Sequence, residues 1–509
     1  MAKPLSMIKL MAKPLSMIKL LLSLIFMFVP CLSCPAHQKK SLLQFKSNLL
    51  DMYHTSNSSS LGLESWDSNS DCCNWTRVVC SLHSHEITAL HLSYIQGEIP
   101  GNGLANLTKL VHFDMSRNYF NGSIPPELFN LRFLQFLDLS ENLLQGGLSG
   151  EIGKLGNLKT LMLDHNFLDG NLPVQIGNVT KLRQFSVSQN KFSGPIPDSV
   201  LNLKGLELLD LRNNYLELQI PSKIGSLSNI FTLALSKNSF TGLIPPSIRN
   251  LSRLETLQLE DNMLSGDIPS WLFDMERELP ENVGDANKIR VLMLSGNNFS
   301  GAIPKSVGDM PLLMILDLSR NRFSGNTDTF PVFDPECSLY YADLSSNELS
   351  VNWKNAEQGI SSRSRHIYSF LDLSSNKLSG DIPVSLGNLK GLKLLNISNN
   401  KLSGYIPQSF GDLESIETLD LSRNNIVGTI PQSFTKLKQI SVLDVSNNKL
   451  SGQIPRGGQM DTMNDLSHFA NNSGLCGMQI RVKCWKDEPT PGDAQEDNDG
   501  DVDILLYQH

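Results

Sequence analysis

Ten histidines, eight cysteines and a recurrent Asp-Leu-Ser triplet are the residues of this 509-residue chain that could do chemistry. Triplets such as Asp138-Leu139-Ser140 invite a hydrolase reading, but they recur in register, as strand positions do. The histidines (His37, His54, His83, His85, His91, His112, His165, His366, His468 and His509) are scattered. No His-Glu-x-x-His, Gly-x-Ser-x-Gly or phosphate-binding loop occurs. A kinase is excluded too: there is no Gly-rich loop ahead of a strand Lys and no catalytic His-Arg-Asp. Glycoside hydrolysis needs two carboxylates facing one another, and nothing marks out a pair. Adjacent Cys72 and Cys73 are poor zinc geometry, and no paired His completes a site. The expectation is a chain without enzymatic activity, metal or cofactor.

Net charge is −8, which argues against a nucleic-acid binder, whose phosphate contacts need clustered Lys and Arg. Residues 1–33 read as a secretory signal: Lys13 and Lys19 precede the apolar run Leu20 to Val29, with small residues near Ser33. That run is short of the roughly 20 residues a membrane span needs. Residues 1–10 and 11–20 are identical, and Met11 alone would start a normal signal. Cys31 falls inside the signal and Cys337 stands alone. Cys34, Cys72, Cys73 and Cys80 precede the rest of the chain, with Cys476 and Cys484 near its end. Six paired cysteines suit an oxidising compartment. So do nine Asn-x-Ser/Thr sequons, at Asn57, Asn74, Asn106, Asn121, Asn178, Asn250, Asn298, Asn396 and Asn471.

The elements that would position these residues are repeats. The string L-x-L-S-x-N-x-[LF]-x-G-x-I-P recurs, its Asn falling at Asn118, Asn142, Asn166, Asn190, Asn214, Asn238 and Asn262, each 24 residues from the last. It resumes at Asn297, Asn321, Asn347, Asn376, Asn400, Asn424 and Asn448, after a degenerate first copy, Leu90 to Pro100. In one copy, Leu110, Phe113, Met115, Phe120, Ile124, Leu128 and Leu131 are the periodic apolar positions, and Phe113-x-Met115 predicts a short strand with one face inward. One rung cannot offset the entropy of ordering its own backbone, so rungs must stack. The Asn carboxamide offers donors and an acceptor to backbone groups left over where the chain turns inward, and stacked copies form a ladder. Leaving one such group unpaired costs about 1–3 kcal/mol. The Gly four residues on permits a tight turn, and Ile-Pro (Ile124-Pro125, Ile196-Pro197, Ile454-Pro455) sets an extended segment lacking one donor.

This G-x-I-P repeat resembles the plant-specific leucine-rich repeat. The resemblance implies a second sheet beside the main one, in an α/β repeat solenoid: a curved right-handed superhelix of about 15 repeats with disulfide-bonded caps. Residues 34–84 resemble the family's N-terminal cap through the helical pattern starting at Ser41-Leu42-Leu43-Gln44-Phe45-Lys46, through Trp66-Asp67, and through Asp71-Cys72-Cys73-Asn74-Trp75 and Cys80. The resemblance implies the pairs Cys34–Cys72 and Cys73–Cys80. It also implies Gly where this chain has Arg77, which bears on the local turn. Residues 460–486, with Asn471-Asn472-Ser473-Gly474-Leu475-Cys476-Gly477 and Cys484, resemble the C-terminal cap. The array spans 85–346 and the last four repeats 369–459. Between Asn262 and Asn297 lie 11 extra residues, with Glu276 to Pro280 resembling a junction where repeats are missing. Residues 347–368, with Val351-Asn352-Trp353-Lys354 and Arg363-Ser364-Arg365, are similar to the island that precedes the last four repeats of plant receptor-like proteins; the alternative is a damaged repeat. Residues 487–509 read as an acidic, disordered tail with no anchor after it.

Concave-face positions lie seven, six, four, two and one residues before each Asn. In the late repeats they are bland (Asp420, Ser422, Arg423; Asp444, Ser446, Asn447). In the middle repeats they depart from the default: Lys159, Met162, Asp164 and His165; Arg183, Ser186 and Gln189; Arg212; Phe231 and Lys237; Gln258, Glu260 and Asp261. Such a face suits an extracellular peptide, glycan or protein. The resemblance implies a kinase-less receptor-like ectodomain that signals in defence or development through a co-receptor kinase at 369–459, at the plasma membrane if an anchor follows and secreted otherwise. The alternative is a soluble polygalacturonase-inhibitor-like protein, but those have about ten unbroken repeats and no island. A glycan on Asn396, itself a concave position, would block ligand in that repeat.

Overall fold

The computed structural model describes residues 33–52, 62–272, 288–325, 339–350 and 369–484, in two compact units, Met1–Phe299 and Ser300–His509. The signal, Cys31, Asn57, Cys337, the Glu276 to Pro280 junction, residues 351–368 and the acidic tail lie outside the described residues.

The described part of the first unit opens with a helix, Ala36–Met52. It buries Leu42, Phe45 and Leu49, spaced to lie on one face. Gly103 sits against it so closely that a Cβ there would fall 2.5 Å from the Phe45 Cβ. Cys34–Cys72 and Cys73–Cys80 are bonded as the resemblance implied, and Trp66 stacks on Trp75 at 5.6 Å. Arg77 adopts the glycine-like conformation (φ 68°), and its guanidinium donates to the Ser93 carbonyl at 3.1 Å. Strand Val78–Cys80 pairs antiparallel with Ile87–His91 and covers the edge of the array.

From there each rung adds one short parallel strand in strict register. Phe113, Leu137, Leu161, Phe185, Leu209, Leu233, Leu257 and Leu292 form one inward row, none more than 1% exposed. Behind it, strands from Gln145–Gly147 to Met263–Asp267 form the second sheet. The rung then closes through a 3-10 turn such as Pro126–Asn130, entered from Pro125. A 24-residue rung has room there for about one turn of helix, so the helical share of the fold is mostly 3-10.

In the second unit, strands Ile315–Asp317, Tyr341–Asp343, Phe370–Asp372, Leu394–Asn396, Thr418–Asp420 and Val442–Asp444 pair in parallel, again in register. Gly474–Cys476 pairs with Lys449–Gln453, and Cys476–Cys484 closes the end.

The asparagines are the ladder expected of them. Asn142 Nδ2 donates to Met115 O (2.8 Å) in the previous rung and to Leu139 O (3.1 Å) and Ser140 O (3.0 Å) in its own. Its Oδ1 accepts from Phe120 N at 2.9 Å. The residue before each Asn is left-handed, as at Glu141 (φ 53°) and His165 (φ 52°). That kink strands the backbone groups the carboxamide takes up. The ladder also runs one rung beyond the sequence reading: Asn472, 24 residues after Asn448, binds Val445 O at 3.0 Å and Leu450 N at 3.0 Å.

Neither interruption breaks the ladder. Leu264 N reaches Asn297 Oδ1 at 2.9 Å across the first, and Leu349 N reaches Asn376 Oδ1 at 3.1 Å across the second. Residues 347–350 belong to a rung of the array, with Asn347 bound to Leu318 O and Leu344 O.

Candidate functional site

The exposed face of the main sheet is built from a default motif with the Asp four, and the Ser two, residues before the ladder Asn. Asp138 Oδ1 accepts from Ser140 N (2.9 Å) and Ser140 Oγ (2.6 Å), and Asp317 does the same with Ser319 (3.0 and 2.7 Å). The Asp-Leu-Ser triplets are therefore self-satisfied turns and not hydrolytic sets. Burial pushes the Asp138, Asp343 and Asp420 carboxyls above the usual carboxylate range, while the Ser hydrogen bonds pull the other way.

Between residues 159 and 261 the default is broken, and each rung compensates differently. Met162 stands where Asp is usual. The displaced acid is Asp164, whose Oδ1 serves the next rung: it accepts from Ser188 N and Ser188 Oγ, both at 2.9 Å, and from Ser186 Oγ. Arg212 replaces the Ser and grips Asp210 in its own rung through Nε (2.9 Å) and Nη2 (2.7 Å). In the next rung Ala234 leaves no acid at all. Glu260 reaches back toward Ser236, and burial pushes its carboxyl up. Glu260 is 9% exposed, and its Oε2 has no hydrogen-bond partner among the described residues. Gln258 Nε2 approaches Met293 Sδ at 3.4 Å.

The structure sorts the thirteen residues expected to bind ligand into three rows. Lys159, Arg183 and Phe231 precede the strands and are exposed, Arg183 pairing with Glu207 at 2.8 Å. His165, Gln189, Lys237 and Asp261 follow them, in left-handed turns. Met162, Asp164, Ser186, Arg212, Gln258 and Glu260 lie on the face itself, with Ser186 3% exposed and already bound to Asp164.

Sequence reasoning passed over the aromatics six residues before the Asn. His112 stacks on Phe136 (4.0 Å, 2°), and Tyr341 on Phe370 (4.3 Å, 8°). Burial pushes the Tyr341 hydroxyl up to about 12. The signal was there, in aromatic residues at one register position of consecutive rungs. Register also brings together histidines that no sequence spacing paired: His91, His112 and Asp114 each present a donor atom within 4.8 Å of the others. The grouping of Cys34, Asp71 and Cys72 holds a disulfide instead.

Seven of the predicted glycosylation sites, Asn74, Asn106, Asn121, Asn178, Asn250, Asn298 and Asn471, are exposed. Asn396 differs. It occupies the default Asp position, its Oδ1 accepts from Ser398 N and Oγ, and its Nδ2, the atom a glycan would take, donates to Asp372 Oδ2 at 3.0 Å.

Comparison with known proteins agrees with this architecture. The leucine-rich-repeat N-terminal domain profile matches residues 35–81, and leucine-rich-repeat profiles match 109–131, 133–155, 205–227, 229–251, 253–275, 288–310, 369–426 and 439–459. Receptor-like protein 46 of Arabidopsis thaliana is 75% identical over 137 residues, 27% of this chain and 17% of that protein. The plant peptide hormone receptor RGFR1 in complex with RGF2 superposes with a TM-score of 0.63 at 31% identity, covering 75% of this chain and 62% of that one. A TDR receptor structure superposes at 0.58 and 30% identity, covering 78% and 73%.

Proposed function

The chain belongs to the leucine-rich-repeat family, among plant receptor-like ectodomains, and from that premise we propose that it perceives an extracellular peptide on the main-sheet face between residues 159 and 261. One observation carries this reading. The Glu260 carboxylate is buried on that face with Oε2 unpaired among the described residues, one rung on from Ala234, whose side chain ends at Cβ. A buried unpaired acceptor costs about 1–3 kcal/mol, more when charged, and a bound donor recovers it. A peptide amide, hydroxyl or ammonium supplies that donor, with Gln258 in the Glu260 rung and Arg212 two rungs back. In default rungs such as those of Asp138 and Asp317 the Asp and Ser satisfy one another.

In this reading the thirteen residues expected to bind divide the work. Those on the face make the central contacts, and the exposed Lys159, Arg183, Phe231, His165, Gln189 and Lys237, with the half-buried Asp261, line its two borders. Residues 369–459, uniform in Asp and Ser except at Asn396, would meet a partner kinase. The cap disulfides suit folding in an oxidising compartment. Among the described residues no helix is long and apolar enough to cross a membrane. The product acts at the cell surface or in the wall.

The test is binding of the purified chain to a synthetic peptide library, repeated with Glu260→Gln and Arg212→Ala. Peptides retained by the wild type should lose at least tenfold in affinity with either variant. Retention unchanged in both would place recognition elsewhere. Inhibition of a polygalacturonase by the wild type, without peptide binding, would replace the receptor reading with the inhibitor one.

A further inference from the structure

We propose that His91, His112 and Asp114 form a binding site for a divalent transition metal, zinc by its chemistry, on the main-sheet face of the first two rungs. The reasoning starts from register. His91 pairs directly with Asp114 across adjacent parallel strands, and His112 stands opposite Ala89. Residues two apart on a strand share a face, so His112 and Asp114 project to the same side, and His91 joins them from the neighbouring strand. His91 Nδ1 lies 3.7 Å from Asp114 Oδ2, and the three donor atoms lie within 4.8 Å of one another. Zinc bonds of 2.0–2.2 Å to nitrogen and oxygen place tetrahedral ligand atoms about 3.3 Å apart. The side chains of His91 and Asp114 are 45% and 33% exposed, so rotation about their own bonds closes the remaining gap without moving the backbone.

The surroundings already orient these groups. Asp114 Oδ1 is held by Ser116 N (3.0 Å) and Ser116 Oγ (2.8 Å), which leaves Oδ2 toward the histidines. The His112 ring lies flat on Phe136, and the His91 and His112 rings are 4.7 Å apart, centre to centre. Outer contacts of this kind are what hold metal ligands in place. Two imidazoles and one carboxylate form a set suited to zinc or copper, with the remaining coordination position open to water or to a carboxylate or carbonyl of a bound molecule. An ion pair between His91 and Asp114 is the simpler use of the same residues, and it does not require His112.

The experiment is calorimetric titration of the chelator-treated full chain with zinc chloride, alongside His112→Gln and Asp114→Asn. Both substitutions have precedents in the same array: Gln184 stands at the His112 position, and Asn396, at the Asp114 position, still accepts from Ser398. The expected result is one equivalent bound at micromolar concentration, weakened at least tenfold by either variant and unchanged by His165→Ala. Cobalt titration provides a readout independent of the variants, a saturable visible absorption at one equivalent. Absence of binding at millimolar zinc, zinc affinity indifferent to both substitutions, or no saturable cobalt spectrum would each overturn the site. The peptide reading concerns other rungs and stands or falls separately.

Discussion

Asn142→Ala removes one ladder carboxamide and nothing else from the core. One buried backbone group, Phe120 N, loses the Oδ1 it donates to. Met115 O and Leu139 O each lose one of two carboxamide donors and keep the other, Asn118 Nδ2 and Asn166 Nδ2. A buried donor left unpaired costs about 1–3 kcal/mol, and the expected loss is of that size. Asn472→Ala is the internal comparison. It makes the same contacts, but its bonds are only partly buried, so water substitutes and the loss should be about half. Urea unfolding measures both. A long array need not unfold in two states, so hydrogen exchange at the Phe120 amide serves as the local probe and should quicken by at least about fivefold in Asn142→Ala. A loss below about 1 kcal/mol, or equal losses at both positions, would refute the ladder as a principal source of cohesion.

Three other perturbations follow from the same geometry. Leu218 has a left-handed backbone (φ 66°) where other rungs have Gly, so Leu218→Gly should stabilise the chain by about 1 kcal/mol in the same urea assay; a destabilised variant would show that the Leu218 side chain supplies contacts outweighing its strain. Because burial raises the Glu260 carboxyl, the folded state holds its proton at a pH where the unfolded chain has lost it. Stability should therefore fall as pH rises from the ordinary carboxylate range through the raised folded value; Glu260→Gln should flatten that part of the melting-temperature profile, and an unchanged profile would contradict the burial. Peptide mapping of the secreted chain should find glycan on Asn121 and Asn178 but none on Asn396, whose Nδ2 is committed to Asp372; full occupancy at Asn396 would show that the pair forms only after modification.

Much of this architecture can be read from a single period. A spacing of 24 residues between asparagines requires stacked rungs, because no rung buries enough alone, and the alternation around Phe113 and Met115 names the inward row before any coordinates. The second sheet and the disulfides Cys34–Cys72 and Cys73–Cys80 came through resemblance to a family, since spacing leaves several pairings open. The extra rung at Asn472 was legible in the same period and was hidden by its place among cap residues.

What the linear order could not convey is how side chains trade partners between rungs. Asp164 replaces an acid missing from the next rung, Glu260 is left with an unpaired oxygen, and His91 meets His112 and Asp114 only because adjacent strands run in parallel register. Local pattern decides which residues face inward, because alternation along a strand is a property of one segment. Which outward residues touch depends on the lateral stacking of segments some twenty residues apart, and on the burial that stacking imposes, so the contacts across the exposed face belong to the tertiary structure.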